Sequence, residues 1–126
     1  AELFVSSSAK DTDFIVRVSD VYPDGRSMLV MDYVRRARYR EGYEKEVFMD
    51  AGKVYAVNFD VGWTSLVFNK GHRVRVTIAS TGTPFYEPNP NTGEPLTLDF
   101  PENAVTATNT VHHDKARPSR IVAPMR

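Results

Sequence analysis

Apolar and polar residues alternate with a period of two in several short stretches of the chain. In residues 73–78 three aliphatic side chains alternate with two arginines and a threonine, and residues 1–5 and 14–19 alternate in a similar way. Because successive side chains of a strand point to opposite faces, this period predicts half-buried β-strands that each place one face on a core.

Two of these strands are expected to place their aliphatic residues on the same core. These residues are Phe14, Val16 and Val18 in one strand and Val74, Val76 and Ile78 in the other. The arginines between the valines, Arg73 and Arg75, are expected to point outward.

Turn residues predict how the first strands connect. Tyr22-Pro23-Asp24-Gly25-Arg26 combines a proline that presets φ with a glycine that accepts positive φ, so residues 14–31 are expected to form a β-hairpin. Residues 33–40 alternate again and predict a further strand, whose one face carries Arg36, Arg38 and Arg40. A helix there would have a poor apolar stripe.

The second half of the chain contains shorter signals. Residues 55–59 predict a strand, and the apolar spacing within residues 63–67 predicts a short 3₁₀ or α segment. Residues 82–103 hold five of the eight prolines and predict one long loop, a kind of segment that is often functional or packs on a neighbour. Residues 106–112 and 121–123 are expected to be the closing strands.

Many short strands joined by glycine and proline turns indicate an all-β fold, either a β-sandwich or a barrel. The length of 126 residues predicts a single domain, residues 1–126, without internal repeats. Sixteen basic and sixteen acidic residues cancel, so neither nucleic acid nor an anionic membrane is an expected partner. The absence of cysteine excludes disulfides and a cysteine nucleophile, and leaves both a cytoplasmic and a secreted location open.

Hydrolysis by a serine on a nucleophile elbow requires the sequence Gly-x-Ser-x-Gly, in which a strained turn exposes the serine oxygen. None of the eight serines has that context. His72, His112 and His113 could act as bases and Asp114 could orient one of them, but a triad without its nucleophile is incomplete. We therefore expect no catalytic residue, with His72 capping a turn and the adjacent histidines at the end of a strand.

Two acidic or histidine-rich stretches are weak metal signals. Asp11 and Asp13 resemble half of a calcium site, but they could equally accept hydrogen bonds from loop amides or pair with an arginine such as Arg17 or Arg38. The two histidines of His112-His113-Asp114 would point to opposite faces of a strand and could not readily bind one ion. No metal and no cofactor are expected.

Arginines and aromatic residues offer two further interpretations. The arginines of residues 35–40, with Arg73 and Arg75, could bind phosphate, but the acidic residues that follow at 41–46 favour a salt-bridged surface or a domain interface. Six aromatic residues could form a platform for sugars, although only Phe85 and Tyr86 lie in an evident loop and the others are expected in the core. The six are Tyr33, Tyr39, Tyr43, Trp63, Phe85 and Tyr86.

An ordered set of short motifs runs through nearly the whole chain. It comprises Asp-Thr-Asp-Phe (11–14), Asp-Val-Tyr-Pro-Asp-Gly-Arg (20–26), Arg-Ala-Arg-Tyr-Arg-Glu (36–41), Asn-Lys-Gly-His-Arg-Val-Arg-Val-Thr-Ile (69–78), Asn-Pro-Asn-Thr-Gly (89–93) and Pro-Ser-Arg-Ile-Val (118–122). This set closely resembles the carboxy-terminal β-domain of the X-Pro dipeptidyl-peptidase and cocaine esterase family of serine hydrolases.

The resemblance implies a jelly-roll β-sandwich, similar to galactose-binding domains, from which some amino-terminal strands are missing. It also implies that the Ser-Asp-His triad lies in an α/β-hydrolase domain outside these residues. The expected function is therefore non-catalytic: the domain would pack on that catalytic domain and help to frame the substrate entrance. An autonomous carbohydrate-binding module and a small hydrolase are the alternatives.

Two expectations concern contacts. Sheet edges left without a partner could also pair two copies of the chain. The residues expected to have interface or structural roles are Asp11, Asp13, Arg36, Arg38, Arg40, His72, Arg73, Phe85 and Tyr86.

Overall fold

Six strands provide the regular structure, which a computed structural model describes for residues 1–95, 97–98 and 100–124. The strands are β1 (Glu2–Ser7), β2 (Asp13–Val21), β3 (Ser27–Arg36), β4 (Tyr55–Asn58), β5 (Arg73–Ala79) and β6 (Asn109–Val111). Two 3₁₀ helices, Ala37–Tyr39 and Pro101–Asn103, are the helical elements of the described residues. The predicted all-β class is confirmed.

The strands form two antiparallel three-stranded sheets, in the orders β4-β1-β6 and β3-β2-β5. The inner strands β1 and β2, each paired on both sides, supply half of the residues in the core cluster. The predicted core faces of residues 1–5, 14–18 and 55–59 are confirmed. The buried cluster comprises Leu3, Val5, Phe14, Val16, Val18, Ala37, Met49, Val57, Phe59 and Val61. This arrangement is a β-sandwich; its jelly-roll topology stays a prediction.

The predicted hairpin is also confirmed, since β2 and β3 pair along their length with a bulge between Val18 and Ser19. The backbone N–H of Tyr22 donates to the carbonyl of Arg26 (2.9 Å), which closes the turn. Gly25 adopts a φ of 92°, a conformation that side chains with a Cβ disfavour.

The strand predicted over residues 33–40 is wrong beyond its first half. β3 ends at Arg36, and Ala37–Tyr39 form a 3₁₀ turn. The backbone N–H of Arg40 donates to the carbonyl of Ala37 (3.1 Å) and that of Arg38 donates to Oδ1 of Asp11 (2.8 Å), so these amides are not available to a longer strand. Arg36, Arg38 and Arg40 therefore do not share a strand face.

Two other predicted elements are also wrong. Residues 63–67 contain no helical turn, and the side chain of Trp63 is 91% exposed, so apolar contacts that would stabilise a single turn are missing. No strand covers residues 121–123; Arg120 only bridges Glu2. β6 already pairs with residues 5–7 of β1, which leaves only the start of β1 for that bridge.

The core face predicted for β5 is only partly correct. The register places Ile78 beside Val16 and Val76 beside Val18, so these residues do lie on the core side of their sheet. Ile78 packs against the core, but Val74 and Val76 are 58% and 41% exposed. The strands of the opposite sheet do not cover this end of β5.

Truncating a buried and an exposed phenylalanine should change the free energy of unfolding by very different amounts. Phe14→Ala is expected to lower the free energy of unfolding by about 3–5 kcal/mol, because it leaves a cavity beside the central strand. Phe85→Ala is the matched control: this phenylalanine is 81% exposed, and the change should stay within about 0.5 kcal/mol. Urea unfolding followed by circular dichroism measures both values. Equal losses would contradict the assigned core.

Candidate functional site

A buried ion pair joins the loop before β2 to the 3₁₀ turn after β3. The backbone N–H of Arg38 donates to Oδ1 of Asp11 (2.8 Å), and Nε donates to Oδ2 (2.7 Å). Both side chains are 0% exposed. The carboxylate thus accepts one hydrogen bond from the backbone and one from the guanidinium, and both are charge-assisted.

The Arg38 guanidinium also reaches the loops on either side. Its Nη1 donates to Oε1 of Glu46 (3.2 Å) and to the carbonyl of Glu94 (2.8 Å). Burial disfavours the charge on Arg38, but hydrogen bonds and attraction from Asp11 and Glu46 outweigh it, so the pKa of Arg38 is raised. The pKa of Glu46 is lowered by its hydrogen bonds from Tyr39 and Arg38.

A second ion pair lies beside the first. Arg36 contacts Asp13 through Nε (2.9 Å) and Nη2 (3.1 Å), a bidentate pair. The side-chain amide of Asn89 donates to Oδ2 of Asp11 and to Oδ1 of Asp13, both at 2.9 Å. One amide group from the long loop therefore bridges the two carboxylates, and the aspartates serve as hydrogen-bond acceptors for the protein itself. We call Asp11, Asp13, Arg36, Arg38 and Asn89 the buried charge network.

Arg40 points to a different region. Its guanidinium lies 4.3 Å from the ring centre of Tyr55 and donates to the carbonyls of Ala37 (3.1 Å), Phe48 (3.3 Å) and Val47. These contacts hold residues 47–48 against the 3₁₀ turn.

His72 lies at the opposite end of the second sheet. Its Nδ1 is 2.9 Å from both carboxylate oxygens of Asp20, and its ring packs against Tyr22 with 4.3 Å between centroids. The backbone N–H of His72 donates to the carbonyl of Asn69 (3.0 Å), which closes the turn before β5. These contacts join the turn before β5 to the end of β2.

The loop between β5 and β6 carries Phe85 and Tyr86, which face different surroundings. The Phe85 side chain is in solvent, whereas the Tyr86 hydroxyl donates to Oδ1 of Asp32 (3.1 Å). Burial and this hydrogen bond raise the pKa of Tyr86. Gly82 allows the close packing, since a Cβ there would lie 2.8 Å from the Tyr86 ring.

An open groove of about 370 Å³ lies next to the charge network. Its walls include Tyr33, Tyr43, Tyr86 and the outer side of Arg36. The sequence predicted Tyr33, Tyr43 and Trp63 to be core residues, which is wrong: all three are exposed.

The remaining candidates do not form a catalytic or metal constellation. Ser6 Oγ lies 3.1 Å from Nε2 of His112, yet this serine is on a regular strand and not on a strained turn. Arg73 and Arg75 are exposed on β5. Among the described residues no three histidine, acidic or cysteine side chains could share a metal ion. No described helix has the length and apolar character to cross a bilayer.

Asn89 is the part of this site that sequence reasoning did not identify. It belongs to the Asn-Pro-Asn-Thr-Gly motif, whose composition is typical of a turn. Asn91 in the same motif has a φ of 65°, as expected for a turn asparagine. The position of the motif beside two buried carboxylates becomes evident only in the folded chain.

Comparisons with known proteins agree across sequence and structure. A family model described as the X-Pro dipeptidyl-peptidase C-terminal non-catalytic domain matches residues 1–122. The chain is 43% identical over 125 residues to the cocaine esterase of Rhodococcus sp. (strain MB1 Bresler), a match that covers 99% of this chain and 22% of that protein.

Two solved structures have a similar backbone. An alpha-amino acid ester hydrolase matches with a TM-score of 0.82 and 30% identity over 88% of this chain and 20% of its own. An aminopeptidase from a marine sediment archaeon, Thaumarchaeota archaeon, matches with a TM-score of 0.83 and 31% identity over 89% of this chain and 20% of its own. The chain therefore spans about a fifth of the length of these relatives.

Breaking the buried ion pair should destabilise the fold more than removing both charges. Asp11→Leu leaves the Arg38 charge without its main partner and is expected to cost about 3–5 kcal/mol of unfolding free energy, while Asp11→Leu with Arg38→Met should recover part of this loss. Asp114→Leu, which removes the exposed pair with Arg117, is the control and should change little. A double variant as unstable as the sum of Asp11→Leu and Arg38→Met would contradict this coupling. Denaturant melts measure all four variants.

Proposed function

The chain belongs to the family of X-Pro dipeptidyl-peptidase C-terminal non-catalytic domains, and from this membership we propose that it packs on the catalytic domain of a serine α/β-hydrolase and helps to frame the substrate entrance. The parent enzyme would cleave X-Pro dipeptides, or esters and amides of similar shape. No residue of this chain takes part in the bond cleavage itself.

The observation that carries the proposal is a segment in which a tryptophan and two aliphatic side chains lie in solvent. Residues 60–69 contain no regular secondary structure, and their side chains Trp63, Leu66 and Val67 are all exposed. Tryptophan is enriched among the residues that dominate binding energy at protein interfaces. Since relatives are about five times longer than this chain, the catalytic domain is the partner that this segment fits.

The long loop between Ala79 and Asn109 supports the second half of the proposal. Asn89 fastens this loop to the buried charge network, while Phe85 projects into solvent. A loop that is anchored at its middle and exposes an aromatic ring is suited to line the rim of a neighbouring cleft.

Two variants of the longer enzyme would separate packing from entrance framing. Trp63→Ser should lower the melting temperature of an enzyme that contains both domains, because an interface tryptophan contributes about 2 kcal/mol or more. In the isolated 126-residue chain it should change nothing, since the indole has few contacts there. Phe85→Ser should leave both melting temperatures unchanged and raise KM for an Xaa-Pro p-nitroanilide or a p-nitrophenyl ester.

Val122→Ser serves as the control for this pair, because Val122 is an exposed aliphatic residue outside the apolar segment. An enzyme in which Trp63→Ser and Val122→Ser behave alike would refute docking through residues 60–69. Unchanged kinetics in Phe85→Ser would refute the entrance role and leave docking standing.

Carbohydrate binding is the second candidate function, because three tyrosines line the open groove beside Arg36. Aromatic rings and charged side chains together are the groups that sugars contact. If the groove binds sugar, isothermal titration with neutral oligosaccharides should show saturable heat, and Tyr43→Ala should abolish it. Absence of heat with the unsubstituted chain would exclude carbohydrate binding.

A further inference from the structure

Two adjacent residues of the loop after β5 have opposite surroundings. The Phe85 ring is 81% exposed, whereas the hydroxyl of Tyr86 donates to Oδ1 of Asp32 on β3 (3.1 Å). Each residue has only two soft backbone dihedral angles, so fixing the side chain of Tyr86 also restricts the positions that the Phe85 ring can reach. The contact that holds Tyr86 therefore bears on where Phe85 lies.

Both partners of this hydrogen bond are themselves held in place. Oδ2 of Asp32 accepts a hydrogen bond from Nη2 of Arg17 (3.1 Å) on the neighbouring strand β2, which orients the carboxylate. On the other side, a Cβ at position 82 would lie 2.8 Å from the Tyr86 ring, so Gly82 leaves the space that the ring occupies. The hydroxyl and its acceptor thus meet in a defined geometry.

The Tyr86 hydroxyl provides the one hydrogen bond that joins residues 81–88 to the rest of the protein, as far as the described residues go. The backbone N–H groups of Phe85 and Tyr86 both donate to the carbonyl of Gly82, which lies in the same segment (3.0 and 3.2 Å). The next attachment along the chain is Asn89, whose amide binds the carboxylates of the buried charge network. Without the Tyr86–Asp32 bond, side-chain packing alone would hold residues 81–88 on the sheet.

We propose that Tyr86 is a positioning residue: its hydrogen bond to Asp32 fixes the loop tip and thereby sets the place of the Phe85 ring at the substrate entrance. The entrance role of Phe85 rests on the proposed function, whereas the hydrogen bond belongs to this chain alone. Tyr86 acts through Phe85 and needs no contact with the substrate.

The charge state of the phenol suits this role. Burial and the hydrogen bond to Asp32 raise the pKa of Tyr86, so the hydroxyl keeps its proton at neutral pH and remains a donor. A bond from a hydroxyl to a carboxylate is charge-assisted and is therefore stronger than one between two neutral groups.

Hydrogen exchange in the 126-residue chain tests whether this bond holds the loop tip. In Tyr86→Phe, which keeps the ring and removes the hydroxyl, the amides of Phe85 and Tyr86 should exchange about tenfold faster. The amide of Asn91 donates to Oδ1 of Asn89 (2.9 Å), so its exchange should be unchanged. Gly82→Ala should reproduce the effect by displacing the ring.

Two further variants show whether the effect is specific. Tyr55→Phe also removes a hydroxyl that is bound to a carboxylate, that of Asp50 (3.0 Å), but on the first sheet, and should leave the loop amides unchanged. Asp32→Ala should accelerate exchange like Tyr86→Phe, and the double variant should go no further, because both changes remove the same bond.

Kinetics of the longer enzyme test the positioning itself. Tyr86→Phe should raise KM for an Xaa-Pro p-nitroanilide or a p-nitrophenyl ester, by no more than Phe85→Ser does, and leave kcat unchanged. In the Phe85→Ser enzyme, Tyr86→Phe should have no further effect on KM, because the ring through which it acts is gone. Tyr55→Phe should leave KM unchanged.

The two experiments separate this proposal from the proposed function. Unchanged exchange at Phe85 and Tyr86, or faster exchange throughout the core, would overturn the local role of the hydrogen bond whatever the kinetics show. An enzyme in which Phe85→Ser raises KM but Tyr86→Phe does not, or in which the two effects add, would overturn positioning and leave the entrance role of Phe85 standing. Unchanged KM in both variants would overturn the two together.

Discussion

The buried pair between Arg38 and Asp11 determines where several parts of the chain can lie. An arginine with no solvent contact is tolerable only when its donors are satisfied, because an isolated buried charge is very costly. Asp11 accepts hydrogen bonds from both the backbone N–H and the side chain of Arg38. Arg38 presents both donors from the 3₁₀ turn that follows β3. The loop before β2 and the turn after β3 are therefore held together by this ion pair and by the hydrogen bond from the Ala37 N–H to the Thr12 carbonyl.

The same network explains how the described part of the long loop between β5 and β6 is held in place although it contains no strand. Asn89 has a two-proton amide that matches two neighbouring carboxylates, which would otherwise repel each other. The carbonyl of Glu94 adds a contact with Arg38 only five residues later. The middle of the loop is thus ordered from inside, and its aromatic tip can remain in solvent.

Local patterns predicted the strands and the hairpin, because a period of two is a property of neighbouring residues. They failed where the decisive partner is distant in sequence: Arg36, Arg38 and Arg40 have equal spacing, but the first two join the buried charge network and Arg40 contacts Tyr55 and residues 47–48. For Val74 and Val76 the pattern identified the side of the sheet correctly, yet alternation carries no information about what covers that side. Motif order predicted the family, which the match over residues 1–122 confirms.

The position of Trp63 has a practical consequence for spectroscopy. It is the only tryptophan in the 126 residues, and its indole is almost fully hydrated. Its fluorescence emission in the folded chain should already resemble that of an unfolded peptide, so unfolding of this domain would be nearly invisible to it. Any partner that covers residues 60–69 would instead shift the emission to shorter wavelength. Trp63 fluorescence would therefore report association with a partner but not unfolding of the domain.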